Sequence, residues 1–417
     1  MSIKTFPNGL RLGVIESPSE RLVCVTAHII GGSQSETNYQ SGVGEFLSRM
    51  LLCGTKTTPG KAALEKRVKE QGIILESSCG AENILLTAIC ESDRAPEAID
   101  ILSDILFNST FSSTDATATR TAILGDILSL NESSSYILSK LTNNAMFPRT
   151  GLANPRYGTT TTISRMRAVD AKEYLTKILT PKNTIISVAG NVDTDEIYDL
   201  VMRKFYSKFV ENTEYKKLKY VAKVDNIKQN IITRNKKYNQ SRMLLSFPCE
   251  DSRHVKRHAL TIVLPILQKH LEAGLVHLDF YHTEKVDLKR YAYNGRLSIE
   301  LVVDSDRTKE YLEELTKVLK SSTKDITELE FELEKNIYIT SLLEKYDNVK
   351  NLAVAQAKEI AINKQVFSVN SEILNASMMH AEDAKDLLKN TLNIKKATLV
   401  YLGLPIGEDE ITDIINQ

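Results

Sequence analysis

Two kinds of apolar spacing alternate along this 417-residue chain. Runs such as RLVCVTAHII (residues 21–30), ILLTAIC (84–90) and TIISVAG (184–190) are short, apolar and rich in β-branched residues, a pattern that predicts buried strands. Others, such as TKEYLEELTKVLKS (308–321), place their large apolar residues three and four positions apart, which predicts amphipathic helices. Strand and helix patterns are interleaved throughout, so the expected class is α+β, with mixed sheets packed against helices in sandwich-type domains.

The pattern also repeats. AVDAKEYLTKILTPKNTIISVAG begins at Ala168, and AEDAKDLLKNTLNIKKATLVYLG begins 213 positions later at Ala381. SDRAPEAIDILSDIL from Ser92 and SDRTKEYLEELTKVL from Ser305 share that offset and order. A common offset predicts a duplication: two homologous halves, 1–209 and 231–417. The polar stretch VENTEYKKLKYVAKVDNIKQN (210–230) reads as the linker between them.

Within the first half, SGVGEFLSRMLLCGT (41–55) carries Val43, Phe46, Leu47, Met50 and Leu51 on one helical stripe. Glu45, Ser48 and Arg49 share the other face. On this pattern alone that face is solvated and holds an i, i+4 Glu45/Arg49 pair, worth a few tenths of a kcal/mol.

Composition narrows the functional classes. Lysine and arginine total 53, as do aspartate and glutamate, so no basic excess points to nucleic acid. Tyr and Phe are scattered and form no stacking platform for bases. The five cysteines, Cys24, Cys53, Cys79, Cys90 and Cys249, are odd in number and lack CxxC pairs, which argues against a disulfide framework or a zinc knuckle. The longest apolar runs fall far short of a membrane span, and the start MSIKTFPNGLRLGV reads directly as a strand, with no presequence expected. His254 and His258 in HVKRH have the i, i+4 spacing of zinc ligands, but Arg253, Lys256 and Arg257 surround them, so structural histidines are expected.

A series of landmarks in order carries a family resemblance: NGLRL from Asn8, GGSQSE ending at Glu36, GVGEFLSRMLLCGT, ALEKRVKEQG ending at Gly72, TRTAILGDI around Asp126, and NTIISVAGNVD ending at Asp193. Together they resemble the pitrilysin/insulinase metallopeptidase superfamily. Active members of that family carry H-x-x-E-H, two imidazoles that grip zinc and a glutamate that acts as general base, with a further glutamate ligand about 77 residues on. The resemblance places Glu45 and Arg49 at the histidine positions, Ser48 at the base and Asp126 at the third ligand, so none of the expected residues is kept. Arg49 has no lone pair to give a metal and repels one, and Ser48 has no basic group to deprotonate bound water. No metal and no cofactor are expected. Instead, Arg49 should reach Asp126, Glu45 or both, and so place its charge where the family holds its ion.

The resemblance also locates a substrate-holding segment, LEAGLVHLDFYHTEKVDLKRYAYNGRL. Thr283 stands there in place of an arginine and Arg290 in place of a tyrosine, with Tyr291 adjacent and no glycine-rich loop. The implied role is a non-catalytic core subunit of mitochondrial complex III, paired with a homologous core or processing-peptidase-like subunit and with the other complex III subunits. Its implied place is the matrix side of the inner membrane, and the resemblance does not separate core I from core II. The alternatives are the non-catalytic subunit of the mitochondrial processing peptidase and a metallopeptidase with an unusual metal.

Overall fold

The computed structural model describes residues 2–209, 217–235, 239–323 and 325–416. Of the expected linker, 210–216 lie outside the described residues, and 217–229 form neither helix nor strand.

The chain divides into two compact units, each built on one mixed sheet. In the first unit the strands are β1 (Ser2–Thr5), β2 (Arg11–Glu16), β3 (Leu22–Ile30), β4 (Ile74–Cys79), β5 (Asn83–Glu91) and β6 (Thr184–Gly190). They lie in the order β1-β2-β6-β3-β5-β4, with only β2 and β6 parallel. In the second unit β7 (Asn230–Asn235), β8 (Gln240–Pro248), β9 (His282–Arg290), β10 (Gly295–Asp304) and β11 (Thr398–Gly403) lie in the order β7-β11-β8-β10-β9, with only β7 and β11 parallel.

Both faces of each central strand are buried, which is why these strands read as continuous apolar runs rather than as alternation. In β3, Val23, Val25, Ala27 and Ile29 enter a large core under the Val43–Met50, Ala95–Asn108 and Ala168–Ile178 helices. Cys24 and Ile30 point to the other face, which the Val349–Ile362 helix covers with Leu352, Ala353, Ala357 and Ile360. The second unit repeats the plan. Leu399 and Tyr401 of β11 face the main core, while Val400 and Leu402 meet Leu138 on the Ser134–Met146 helix.

The duplication predicted from the repeat is present. The Ala95–Asn108 helix recurs as Thr308–Ser322, and Ala168–Ile178 as Ala381–Thr391. The compact units nevertheless depart from a division at 209 and 231. Residues 129–153 belong to the second unit and 343–369 to the first, so the contiguous halves exchange a segment. The covering helices Ser134–Met146 and Val349–Ile362 lie in the exchanged segments, and each closes the open face of the sheet built from the other half.

Candidate functional site

The Val43–Met50 helix is positioned by its apolar stripe: Val43, Phe46, Leu47 and Met50 are all fully buried, and the helix packs on the Ala168–Ile178 helix and on β4. Its N-terminus is capped from outside the helix. The Glu36 carboxylate accepts from the backbone N–H of Gly42 at 2.7 Å and of Gly44 at 2.8 Å, satisfying two of the otherwise unpaired amides there. Gly42 takes φ 90°, and a Cβ on it would lie 2.8 Å from the Gly158 Cα. Glycine there lets the 154–158 loop approach the start of the helix. Asn154 pins that loop by donating to the carbonyls of Ser33 and Glu36 at 3.0 and 3.2 Å.

The polar face of the helix is not solvated as its pattern suggested. Glu45 is 4% exposed and Ser48 2%. Glu45 is met by Arg156 from the 154–158 loop, 111 residues away, so the periodicity of this segment had no means of showing it.

Arg49 bridges two carboxylates. Its Nε donates to Glu45 Oε1 at 2.9 Å, and a terminal nitrogen donates to Asp126 Oδ2 at 2.6 Å. The expectation that Arg49 would reach Asp126, Glu45 or both is met on both sides. Glu45 has a second cation, because Arg156 Nε donates to its other oxygen at 3.0 Å. The Tyr157 ring lies 5.9 Å from the Arg49 guanidinium carbon and 5.3 Å from that of Arg156. Ser48 Oγ donates to the Glu45 carbonyl at 2.9 Å and is spent on its own helix.

Electrostatics keep the two guanidiniums charged. Burial works against the Arg49 guanidinium, but hydrogen bonds to Asp126 and Glu45 outweigh it, and its pKa is raised. Arg156 is likewise raised: burial opposes its charge, and the Glu45 carboxylate outweighs it. Burial pushes the Glu36 carboxyl up to about 8, against the two glycine amides that favour its anion.

This donor set does not fit a zinc ion. The centre between Glu45 and Asp126 is filled by a cation, and Arg156 places a second positive charge beside it. Beside Arg49 lies a cavity of about 590 Å³ whose floor is apolar, with Leu52, Leu64, Val68, Ile73 and Leu75 in its lining. It has the size and character to hold an apolar group.

The other sequence candidates fall elsewhere and are structural. His258 is buried, its Nδ1 2.9 Å from the Tyr338 hydroxyl, and burial with the charges of Arg257 and Arg290 lowers its pKa to about 4. His254 Nδ1 accepts from the Lys256 amide at 3.3 Å, so the two imidazoles serve different partners. Thr283 is exposed on β9. Arg290 is held inside the unit by Thr261 Oγ1 and the Arg257 carbonyl, at 2.9 and 2.6 Å, and the buried Tyr291 packs edge-on against Phe147. Sequence reasoning missed Arg156: it lies 111 residues from Glu45, in a loop with no motif of its own.

Comparison with known proteins gives two adjoining family matches. The profile described as insulinase (peptidase family M16) covers residues 13–160, and the peptidase M16 inactive domain covers 166–338. The chain belongs to the M16 peptidase family.

This M16 chain is 23% identical over 346 residues to the uncharacterized zinc protease YmxG of Bacillus subtilis, an alignment spanning 81% of the chain and 83% of that protein. It is 27% identical over 205 residues to cytochrome b-c1 complex subunit 1 of mouse, covering 49% of the chain and 42% of the relative. That second match therefore spans less than half the length of the relative. Among solved structures, the M16 inactive-domain protein of Pseudomonas fluorescens superposes with a TM-score of 0.87 at 13% identity over 98% of both chains. A chain of complex III2 from Candida albicans superposes with 0.76 at 14% identity over 99% of both. At these identities the structural likeness establishes the fold: two M16-type halves of α+β construction.

Proposed function

We propose that this chain does not hydrolyse peptides and serves as the non-catalytic member of a hetero-oligomer with a homologous M16 chain. The observation that carries this reading is the Arg49 guanidinium between Glu45 and Asp126, positions that the family resemblance aligns with the metal ligands of hydrolytic members. A chain that keeps the helix and its packing but fills the metal position with an internal cation retains the scaffold and its surfaces, and the apolar cavity beside Arg49 remains available to hold a polypeptide without cutting it.

Two settings suit such a subunit, each favoured by a different likeness. A core subunit of complex III, on the matrix side of the mitochondrial inner membrane, is supported by the superposition on the Candida albicans chain and the match to mouse subunit 1. A companion to a zinc-bearing homologue in a processing-type peptidase is supported by the longer alignment with the Bacillus subtilis zinc protease and by the match to the processing peptidase β subunit of Dictyostelium discoideum.

Affinity purification from the native source, followed by mass spectrometry, elemental analysis and a peptide-turnover assay, separates these readings. Cytochromes b and c1 in the eluate select the first setting. A zinc-bearing homologue, with turnover that requires it, selects the second. Turnover by this chain alone, with about one zinc per chain, overturns the proposal.

A further inference from the structure

A second concentration of charge in the first unit lies outside the Arg49 site. Arg11, the first residue of β2, is 8% exposed. Its guanidinium donates to the Ile360 carbonyl at 2.9 Å and to the Lys182 carbonyl at 3.2 Å. Both acceptors are neutral, and among the described residues no carboxylate pairs with Arg11. A buried guanidinium is ordinarily matched by an acid, because an uncompensated charge out of water is costly.

Around Arg11 opens a cavity of about 240 Å³ lined by Ile3, Thr5, Gly9, Lys182, Lys217, Ile360 and Lys364. Four cations thus line one cavity, which has no acidic residue in its wall. Among the described residues none of the three lysines forms an ion pair. The local potential registers on neighbouring groups: burial, then Arg11 and Lys364, lower the pKa of Lys217, and burial, then Arg11 and Lys358, lower that of the buried His28.

Local backbone features hold these groups in place. Gly9 has φ 94° in the β1–β2 turn, and a Cβ there would press on the Lys182 side chain at 3.0 Å. Lys364 follows the Val349–Ile362 helix in a left-handed conformation, φ 59°, which a non-glycine residue adopts only at a cost. The C-terminal end of that helix contributes a partial negative charge of roughly one half. It accounts for Arg11 on the Ile360 carbonyl and leaves the lysines without a counter-charge. Two donors of Arg11 are committed to carbonyls that fix its plane, and the residue lines the cavity.

We propose that this cavity binds the phosphoryl group of a phosphate-bearing ligand, with Arg11 as the fixed donor and Lys182, Lys217 and Lys364 closing on its oxygens. A dianionic tetrahedral group supplies the counter-charge that the walls lack and accepts from several donors at once. The volume falls below the roughly 300–1,000 Å³ typical of sites for drug-sized molecules, which fits a small phosphate ester or a lipid headgroup.

The test is isothermal titration of the full chain with inorganic phosphate at constant ionic strength, alongside sedimentation with phosphatidylcholine vesicles with and without phosphatidic acid. Arg11 is left intact because its removal would disturb the helix end. The double variant Lys182→Ala/Lys217→Ala should weaken binding about tenfold or more, as the loss of charge-assisted bonds requires. Lys364→Gly should also weaken it, while the thermal midpoint holds or rises because glycine relieves the left-handed backbone. Phosphate binding that falls in these variants supports a soluble ligand. Binding only to vesicles with phosphatidic acid, lost in the same variants, supports the headgroup. Absence of binding to either probe, or binding that survives in both variants, overturns the proposal.

Discussion

At the scale of single residues, the Arg49 site is a cation-bridged pair of carboxylates with unequal burial. Glu45 is enclosed and has two guanidinium partners, whereas the Asp126 side chain is 46% exposed. Asp126→Ala should therefore cost at most about 1 kcal/mol, as for a solvated pair. Arg49→Ala removes both of its bonds but leaves Glu45 with Arg156, so a loss of about 1–3 kcal/mol is expected rather than the larger cost of stranding a buried charge. Denaturant titration of the two variants measures both, and a larger loss for Asp126→Ala than for Arg49→Ala would reverse this assignment. Restoring ligands tests the role of Arg156. The variant Glu45→His/Ser48→Glu/Arg49→His/Asp126→Glu should take up zinc poorly while Arg156 remains, and approach one zinc per chain in elemental analysis once Arg156→Ala is added. Glu36 gives a pH signature. Its folded-state pKa is raised from 4.5 to about 8, so its contribution to stability is fully present below pH 4.5 and is lost as pH rises through 8. Glu36→Gln should flatten the decline of the thermal midpoint over that window, and an unchanged slope would assign the dependence to other groups.

At the scale of elements, helices and strands were legible where they are strongly patterned. The stripe Val43, Phe46, Leu47 and Met50 forms the buried side of its helix, and the offset repeat marks matching helices and strands. What a second face meets was not legible. Glu45, Ser48 and Arg49 read as a solvated face, yet two of the three are buried, and Glu45 is paired with Arg156 from a segment distant in sequence. The covering helices pose the same problem, since an apolar stripe announces that a partner surface exists without saying which sheet supplies it. The structure assigns Val349–Ile362 to the first sheet, over Ile15, Cys24, Ala189, Ile30 and Ile185. A fragment of residues 1–220 lacks this helix and exposes that apolar face, so it should show reduced near-ultraviolet dichroism and aggregate. A monomeric, cooperatively unfolding fragment would show the helix to be dispensable.

At the scale of the whole molecule, the duplicated α+β plan is that of an M16 scaffold, and the proposed role in assembly makes a prediction of its own. We expect the chain to associate with a homologous M16 partner through an interface larger than the roughly 1,600 Å² of a standard complex. Sedimentation of the native protein should show a hetero-oligomer. A stable monomer at nanomolar concentration, indifferent to a homologous chain, would count against it.

The sequence by itself determined the fold class, the duplication and the chemistry that Glu45, Ser48, Arg49 and Asp126 can offer. These depend on residue identity and short-range periodicity, which survive in one dimension: an arginine cannot donate a lone pair to a metal wherever it lies. It also supported the Arg49 bridge to Glu45 and Asp126, because the family's ligand spacing had already brought those positions together. Only the tertiary structure decided that Arg156 shares Glu45, that Glu36 caps the helix, that the halves exchange their covering helices, and that four cations line one cavity. Each of those depends on contacts between segments far apart in the chain. The spacing along the sequence records which side of an element is apolar, whereas the distance between two side chains is set by the path of the backbone between them.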